Sequence, residues 1–240
     1  MNLKLNKLKK SYSGKTVLNN IDLNLPDVKV LALIGASGSG KSTLLRQMAG
    51  LEVFDSGEIT VNGHVVNATT DGAYRKRIGF VFQDHNLFPH LSVLENIMLV
   101  LEKVHGRKRD EALQEVMALL EQFGLVEHAD KKPHQISGGQ GQRVSIVRAL
   151  SIKPDLILLD EPTSSLDPIL THEVLNAIKL LVEDCIDFVI VTHEIGFARE
   201  VADYIVFMDE GEIVEHGTPD ILENPKSEKL IRFLEKVLSF

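Results

Sequence analysis

The sequence predicts an α/β fold in which a parallel sheet carries an antiparallel β part and a helical insertion. Three short unbroken apolar runs, Val30 to Ile34, Leu156 to Leu159 and Phe188 to Val191, have the length and continuity of strands buried on both faces of a parallel sheet. The first third instead alternates polar and apolar residues around turn dipeptides, the pattern of antiparallel hairpins. From about Ser92 to Ser151 the apolar residues recur at helical spacing.

Taken in order, Leu3, Leu5 and Leu8 and then Val17, Ile21, Leu23 and Leu25 flank Ser13-Gly14-Lys15, two strands joined by a turn. A second hairpin follows Asp55-Ser56-Gly57, where Ile59 and Val61 lead into Asn62-Gly63, a strong two-residue hairpin signal, and Val65 resumes the pattern. Between them, the run ending at Ile34 gives way to a helical stretch from Lys41 to Ala49 that Gly50 can terminate. The helical insertion opens on the capping box Ser92-Val93-Leu94-Glu95 and continues with Leu113, Val116, Met117, Leu120 and Phe123, a stripe read as core. Near the end, Thr218 before Pro219 marks a helix start, and Leu230, Ile231, Leu234, Val237 and Leu238 suit a closing amphipathic helix. The expected organisation is one domain over 1–240: a sheet core from 1–88 and 152–218, a helical subdomain from 89–151 and C-terminal helices from 219–240.

Composition narrows the function. Of 240 residues, 44% are apolar and 25% charged, as in an ordinary globular protein with a packed core. The 26 basic against 34 acidic residues give a net charge of −8, which disfavours broad nucleic-acid binding through counterion release. Cys185 is the sole cysteine, so neither an intrachain disulfide nor a cysteine metal cage is possible, and a reducing cytoplasm is expected. The start, Met1 to Lys7, lacks the apolar stretch of a cleaved leader, and no apolar run approaches the roughly 20 residues that span a bilayer. A membrane role is therefore expected to run through a partner.

The chemistry concentrates after the apolar runs, where open parallel sheets bind ligands. Gly35-Ala36-Ser37-Gly38-Ser39-Gly40-Lys41-Ser42, followed by Thr43, fits a phosphate-binding loop placed between a strand and a helix. Glycines let the backbone N–H groups turn inward on phosphate oxygens, and the helix N-terminus adds positive potential. Lys41 can then reach the β and γ phosphates of a nucleotide while the Ser42 hydroxyl binds Mg²⁺. Kinases, GTPases and motor ATPases share this pattern, so it establishes nucleotide binding alone. Leu156 to Leu159 ends in Asp160-Glu161, two carboxylates with separable roles: Asp160 towards the metal and Glu161 polarising the attacking water. Ile136-Ser137-Gly138-Gly139-Gln140 opens a helix running to Leu150, a second anion-binding helix start that makes sense if it meets the same phosphate across a dimer.

With these motifs in this order, the sequence resembles the ATP-binding subunit of ABC transporters, whose signature reads Leu-Ser-Gly-Gly-Gln. The resemblance covers essentially the whole chain and implies a P-loop NTPase fold of the ABC type. It implies that Ser137, Gly138 and Gly139, with Gln140 beside them, complete the ATP site of a second copy, making a homodimer in the ATP-bound state. By position, Tyr12 resembles the aromatic that stacks on adenine. Gln83, in Phe80-Val81-Phe82-Gln83, resembles the glutamine that senses Mg²⁺, water and the permease. Asp167, in Ser164-Ser165-Leu166-Asp167, resembles the segment linking the two sites, and His193 the histidine that contacts the γ-phosphate and assists catalysis. Two departures stand out: Ile136 replaces the signature leucine, and Gly141 sits where the family usually has a polar, helix-favouring residue. Glycine inside a helix costs up to about 1 kcal/mol relative to alanine, so a less rigid start of the signature helix is expected.

Within the family, the stretches Phe82 to His90 and Val191 to Glu200, and the tail from Gly217-Thr218-Pro219, look like the importers of polar amino acids. That resemblance implies a permease whose coupling helix docks near Phe88, an extracytoplasmic solute-binding protein, and a place at the cytoplasmic membrane face. The lack of an appended regulatory domain argues against sugar and methionine importers. An exporter or lipid-extraction ATPase would use the same site. A non-ABC kinase or GTPase is disfavoured by Ser137 to Gln140 and by the lack of a guanine motif, and a DNA-repair ATPase by the lack of a long coiled-coil insert.

Overall fold

The computed structural model describes residues 1–67, 72–163, 166–183 and 186–238. Ser164, Ser165 and Cys185 lie outside the described residues. In chain order the elements are β1 (Leu3–Tyr12), β2 (Lys15–Leu25), β3 (Val30–Ile34), α1 (Lys41–Met48), β4 (Ser56–Val61), β5 (His64–Val66), α2 (Gly72–Arg75), β6 (Ile78–Val81), α3 (Val93–Lys103) and α4 (Arg109–Gln122). They continue with α5 (Gly138–Ser151), β7 (Leu156–Asp160), α6 (Pro168–Glu183), β8 (Asp187–Val191), α7 (Ile195–Val201), β9 (Tyr204–Asp209), β10 (Glu212–Gly217) and α8 (Glu228–Leu238). They group into two compact units, Met1–Arg75 with Asp187–Phe240, and Lys76–Ile186. Among the described residues no helix is long and apolar enough to cross a membrane.

In the first unit, β1 pairs antiparallel with both β2 and β4, and β4 with β5. The two hairpins turn at the expected dipeptides: Ser13-Gly14 and Asn62-Gly63 both adopt positive φ at both residues, the conformation whose twist matches flanking strands. Leu3, Leu5, Leu8, Ile21, Leu23 and Leu25 are buried, so the alternation read in the sequence is the inward face of this sheet. Strand β3 runs parallel between β8 and β9, with all five of its residues buried. A central parallel strand is covered on both faces, hence its unbroken apolar run. On α8, Leu230 and Leu234 are buried and Phe233 packs on Phe207 at 5.2 Å between ring centroids. Thr218-Pro219 opens only a short 3₁₀ turn, Pro219–Leu222, and α8 begins at Glu228. Pro225 explains the interruption, because it lacks an N–H and disfavours helical backbone in Asn224 before it.

Gln47, on α1, is fully buried, and neither its Oε1 nor its Nε2 has a hydrogen-bond partner. A buried amide left unpaired carries its desolvation cost without compensation. Gln47→Met, which keeps the volume and removes the polar atoms, should raise stability by about 1–3 kcal/mol, read as a higher denaturation midpoint.

In the second unit, β6 and β7 pair in parallel and α5 lies against β6. Gly79 permits that approach: a Cβ there would sit 3.1 Å from the Ala149 carbonyl oxygen. The capping box of α3 forms as expected, with the Ser92 hydroxyl accepting from Glu95 N–H and the Glu95 carboxylate accepting from Ser92 N–H. Val93, Ile97 and Leu101 of α3 and Ala112, Val116 and Leu120 of α4 are buried, the core stripe of the insertion. Arg107 holds Glu115 bidentately at 2.8 and 2.7 Å, and Lys153 adds a contact at 2.9 Å. The Arg107 hydrogen bonds, then that of Lys153, lower the Glu115 carboxyl from 4.5 to about 2. Because the folded value is the lower one, this cluster's stabilisation is present above pH 4.5 and is lost as pH falls towards 2. Glu115→Gln should therefore flatten the fall in melting temperature across that window.

Candidate functional site

The first unit presents the predicted phosphate loop. It leaves β3 at Gly35, crosses an exposed crown at Ala36, Ser37 and Gly38, and enters α1 through buried Ser39, Gly40 and Lys41. Two glycines are dictated by close approach. A Cβ on Gly35, at φ +143°, would lie 2.0 Å from the Met208 carbonyl oxygen, and one on Gly40, at φ +102°, 2.8 Å from that of Val17. The loop is thus pressed between β2 and β9, which fixes the direction of its N–H groups. Helix α1 has no side-chain N-cap hydrogen bond and no acidic residue in its first turn, so its own sequence does not offset the positive potential of its N-terminus. The Lys41 ammonium folds back into the loop, donating to Gly35 O at 2.9 Å, Ala36 O at 2.8 Å and Ser39 Oγ at 3.4 Å. A glycine-rich loop closed on a lysine ammonium at a helix start has the chemistry of an anion-binding site with a fixed positive charge. Ser42 and Thr43 follow, half-buried, in the first turn of α1.

Two further predicted residues belong to this unit. Tyr12 ends β1 with 42% of its surface exposed, and the Lys10 ammonium lies 4.9 Å from its ring centroid. An exposed ring on a hairpin end is available for stacking. His193 is exposed immediately after β8, next to buried Thr192, whose hydroxyl accepts from Glu194 N–H at 3.0 Å and turns the chain away from the strand.

The second unit presents the rest. Strand β7 carries Asp160, fully buried, and Glu161, half-exposed directly after the strand. Glu161 adopts φ +47°, a left-handed conformation that L-residues other than glycine, asparagine and aspartate rarely take. Backbone strain of this kind, about 1–3 kcal/mol, gathers at functional sites. Gln83 is exposed two residues beyond β6. Ser137 caps α5 with the predicted box: its hydroxyl accepts from Gln140 N–H at 3.2 Å, and the Gln140 amide oxygen accepts from Ser137 N–H at 2.9 Å. The start of α5 thus carries the capping box read in the sequence. Gly138 is exposed, whereas Gly139 is buried beneath Leu170, 2.9 Å from where its Cβ would stand. Asp167 Oδ1 accepts from the N–H groups of Ile169 and Leu170 at 2.9 and 3.0 Å, so this residue caps α6.

Sequence reasoning missed the clamp around the loop that follows Gln83. Ser145 Oγ and Arg148 Nη2 donate to His85 O at 2.6 and 3.1 Å, and Arg148 Nη1 donates to Asn86 O at 2.8 Å. Further on, buried Asn96 accepts from Phe88 N–H at 2.7 Å and donates to the carbonyls of Phe88, Leu91 and Ser92, leaving the Phe88 side chain 44% exposed. Such long-range bonds leave no local motif. The only hint is that Asn96, Ser145 and Arg148 are polar residues set among apolar ones.

The ABC transporter family matches residues 18–164. The chain is 48% identical to the glutamine transport ATP-binding protein GlnQ of Escherichia coli K12, over 95% of this chain and 96% of that one. It is 46% identical to the arginine transport ATP-binding protein ArtM of Bacillus subtilis 168, over 98% and 100%, and 46% to the glutamate/aspartate import ATP-binding protein GltL of E. coli K12, over 98% of each. Among solved structures it is similar to the dimeric bacterial ABC transporter cassette MJ0796, with a TM-score of 0.81 and 34% identity over 90% of this chain and 98% of that chain. With a family match over most of its length and relatives at this identity over nearly all of it, the chain belongs to the ABC transporter ATPases, in the group of amino-acid transport ATP-binding proteins.

Proposed function

We propose that two copies of this chain close on ATP and Mg²⁺ and hydrolyse ATP to drive uptake of a polar amino acid through a separate membrane permease. The observation that carries this reading is the near-full-length identity, 46–48%, to ATP-binding proteins named for glutamine, arginine and glutamate/aspartate transport. Residues 1–240 act as one ABC ATPase domain, with the helical part at 89–151.

The residues fit the ligands. Gly35 to Thr43 wrap a glycine-rich loop around the Lys41 ammonium at a helix start, chemistry suited to the phosphates of ATP. Ser42, Gln83 and Asp160 offer hydroxyl, amide and carboxylate oxygens, the hard donors that Mg²⁺ prefers. When bound, the ion offsets charge on the phosphates. Glu161 takes the proton of the attacking water, and His193 and Gln83 hold the water and γ-phosphate in line. Tyr12 stacks on adenine. Ser137, Gly138 and Gly139 of one copy, with Gln140 fixing the cap, meet the γ-phosphate of the other, and Asp167 lies in the segment joining the two sites.

The permease reaches the exposed Phe88 on its Asn96-clamped loop and holds the chain at the cytoplasmic membrane face. Solute identity then belongs to the permease and an extracytoplasmic binding protein. The test is uptake of a panel of labelled amino acids by source cells carrying wild-type chain or Glu161→Gln. Selective loss of one polar amino acid supports import and names the cargo. Normal entry of every amino acid, with the variant expressed and membrane-associated, refutes import in favour of export or lipid extraction.

A further inference from the structure

Gly141 reads in the sequence as a flaw in the signature helix, and the structure gives it a partner. Its position on α5 is buried, and a Cβ there would lie 2.7 Å from His85 Cδ2 and 3.3 Å from His85 Nε2. The imidazole therefore occupies the space a side chain at 141 would need. Turning the ring aside is not free, because it is tied at both ends. His85 Nδ1 lies 2.5 Å from Gln142 Oε1, and the His85 carbonyl is held by Ser145 and Arg148. Gln142 is itself fully buried, and its Nε2 donates to Phe82 O at 3.5 Å, which leaves Oε1 as the acceptor and puts the proton on His85 Nδ1. Hydrogen bonds from α5 thus flank Gln83 on both sides, to Phe82 before it and to His85 and Asn86 after it. The ring also lines an open pocket of about 390 Å³ together with Ser137 and Gly138.

We propose that His85 and Gly141 form a knob and notch that locks the Gln83 loop to the signature helix, so that Gln83 and Ser137 move as one body during the ATPase cycle. Both are positioning residues. The inference rests on the reading that Gln83 and Ser137 serve ATP hydrolysis. An isolated helical glycine predicts the opposite sign for a substitution: Gly141→Ala alone would gain helix propensity and stabilise the protein.

The experiment is a double-variant cycle in the full-length chain, with melting temperature and steady-state Mg-ATP hydrolysis measured for wild type, Gly141→Ala, His85→Ala and the double variant. The lock predicts that Gly141→Ala lowers the melting temperature. It also predicts a kcat reduced by roughly tenfold or more, well below melting, with KM for ATP changed far less. In the His85→Ala background the same substitution should be harmless or stabilising and should not lower kcat further. If Gly141→Ala does not fold, its recovery by His85→Ala supports the notch and failure to recover overturns it. An equal loss in both backgrounds, no loss in wild type, or coupling confined to melting temperature with kcat unmoved would each overturn the proposal. Gln83→Ala separates the two failures: unchanged hydrolysis there removes the reading beneath the lock, whereas lost hydrolysis with no coupling between 85 and 141 removes the lock alone.

Discussion

Glu161→Gln should lower the rate of ATP hydrolysis by roughly a hundred- to ten-thousandfold, the span attributable to a positioned general base. Affinity for Mg-ATP should change by no more than about threefold, because the amide keeps the shape and polarity of the side chain but cannot take a proton. The backbone makes this residue a sensitive place to intervene. Glu161 sits at φ +47° directly after the fully buried Asp160, a backbone conformation that glutamate rarely adopts. Single-turnover hydrolysis and equilibrium nucleotide binding separate the two effects. A variant that hydrolyses ATP at near the wild-type rate would remove Glu161 from the role of base.

Lys41→Ala should weaken ATP binding by about thirtyfold to several thousandfold, since truncating one partner of a buried charge pair costs about 2–5 kcal/mol. Two losses combine. The phosphates lose their fixed positive charge, and the carbonyls of Gly35 and Ala36 lose the donor that draws the loop together. The loop itself stays braced against Met208 and Val17, so the fold should survive. Binding of a fluorescent ATP analogue, with circular dichroism as a control for folding, reads the effect. Undiminished affinity in a folded variant would mean that the loop binds nucleotide without its lysine.

Features encoded by neighbours in the chain were legible in advance. The Asn62-Gly63 turn, the caps at Ser92 and Ser137, and the buried runs of β3, β7 and β8 each depend on a few adjacent residues, and each stands where the sequence placed it. The strand, loop and helix around Gly35 to Ser42 were legible for the same reason: the glycine spacing, lysine and serine are contiguous.

What escaped the sequence is tertiary. Gly141 looked like a weak point because helix propensity is a local quantity, and its reason, the ring of His85, lies 56 residues earlier in the chain. Gln47 is a polar residue on a short helix, and nothing in its neighbours shows that it is fully buried without a hydrogen-bond partner. The left-handed backbone of Glu161 follows from how β7 ends and is not written in residue type, since glutamate does not favour that region. Asn96, Ser145 and Arg148 work through carbonyls of distant residues, whose side-chain identity gives no sign of being grasped.

The most direct test of the account is the mass of Glu161→Gln in solution, by size-exclusion chromatography with light scattering, with and without Mg-ATP. If Ser137 and its glycines complete the site of a second copy, ATP that cannot be hydrolysed should hold the chain at twice the 26.7 kDa of one copy, and omission of nucleotide should release it. A species that remains at 26.7 kDa with ATP bound would contradict the shared site and, with it, the proposed motor.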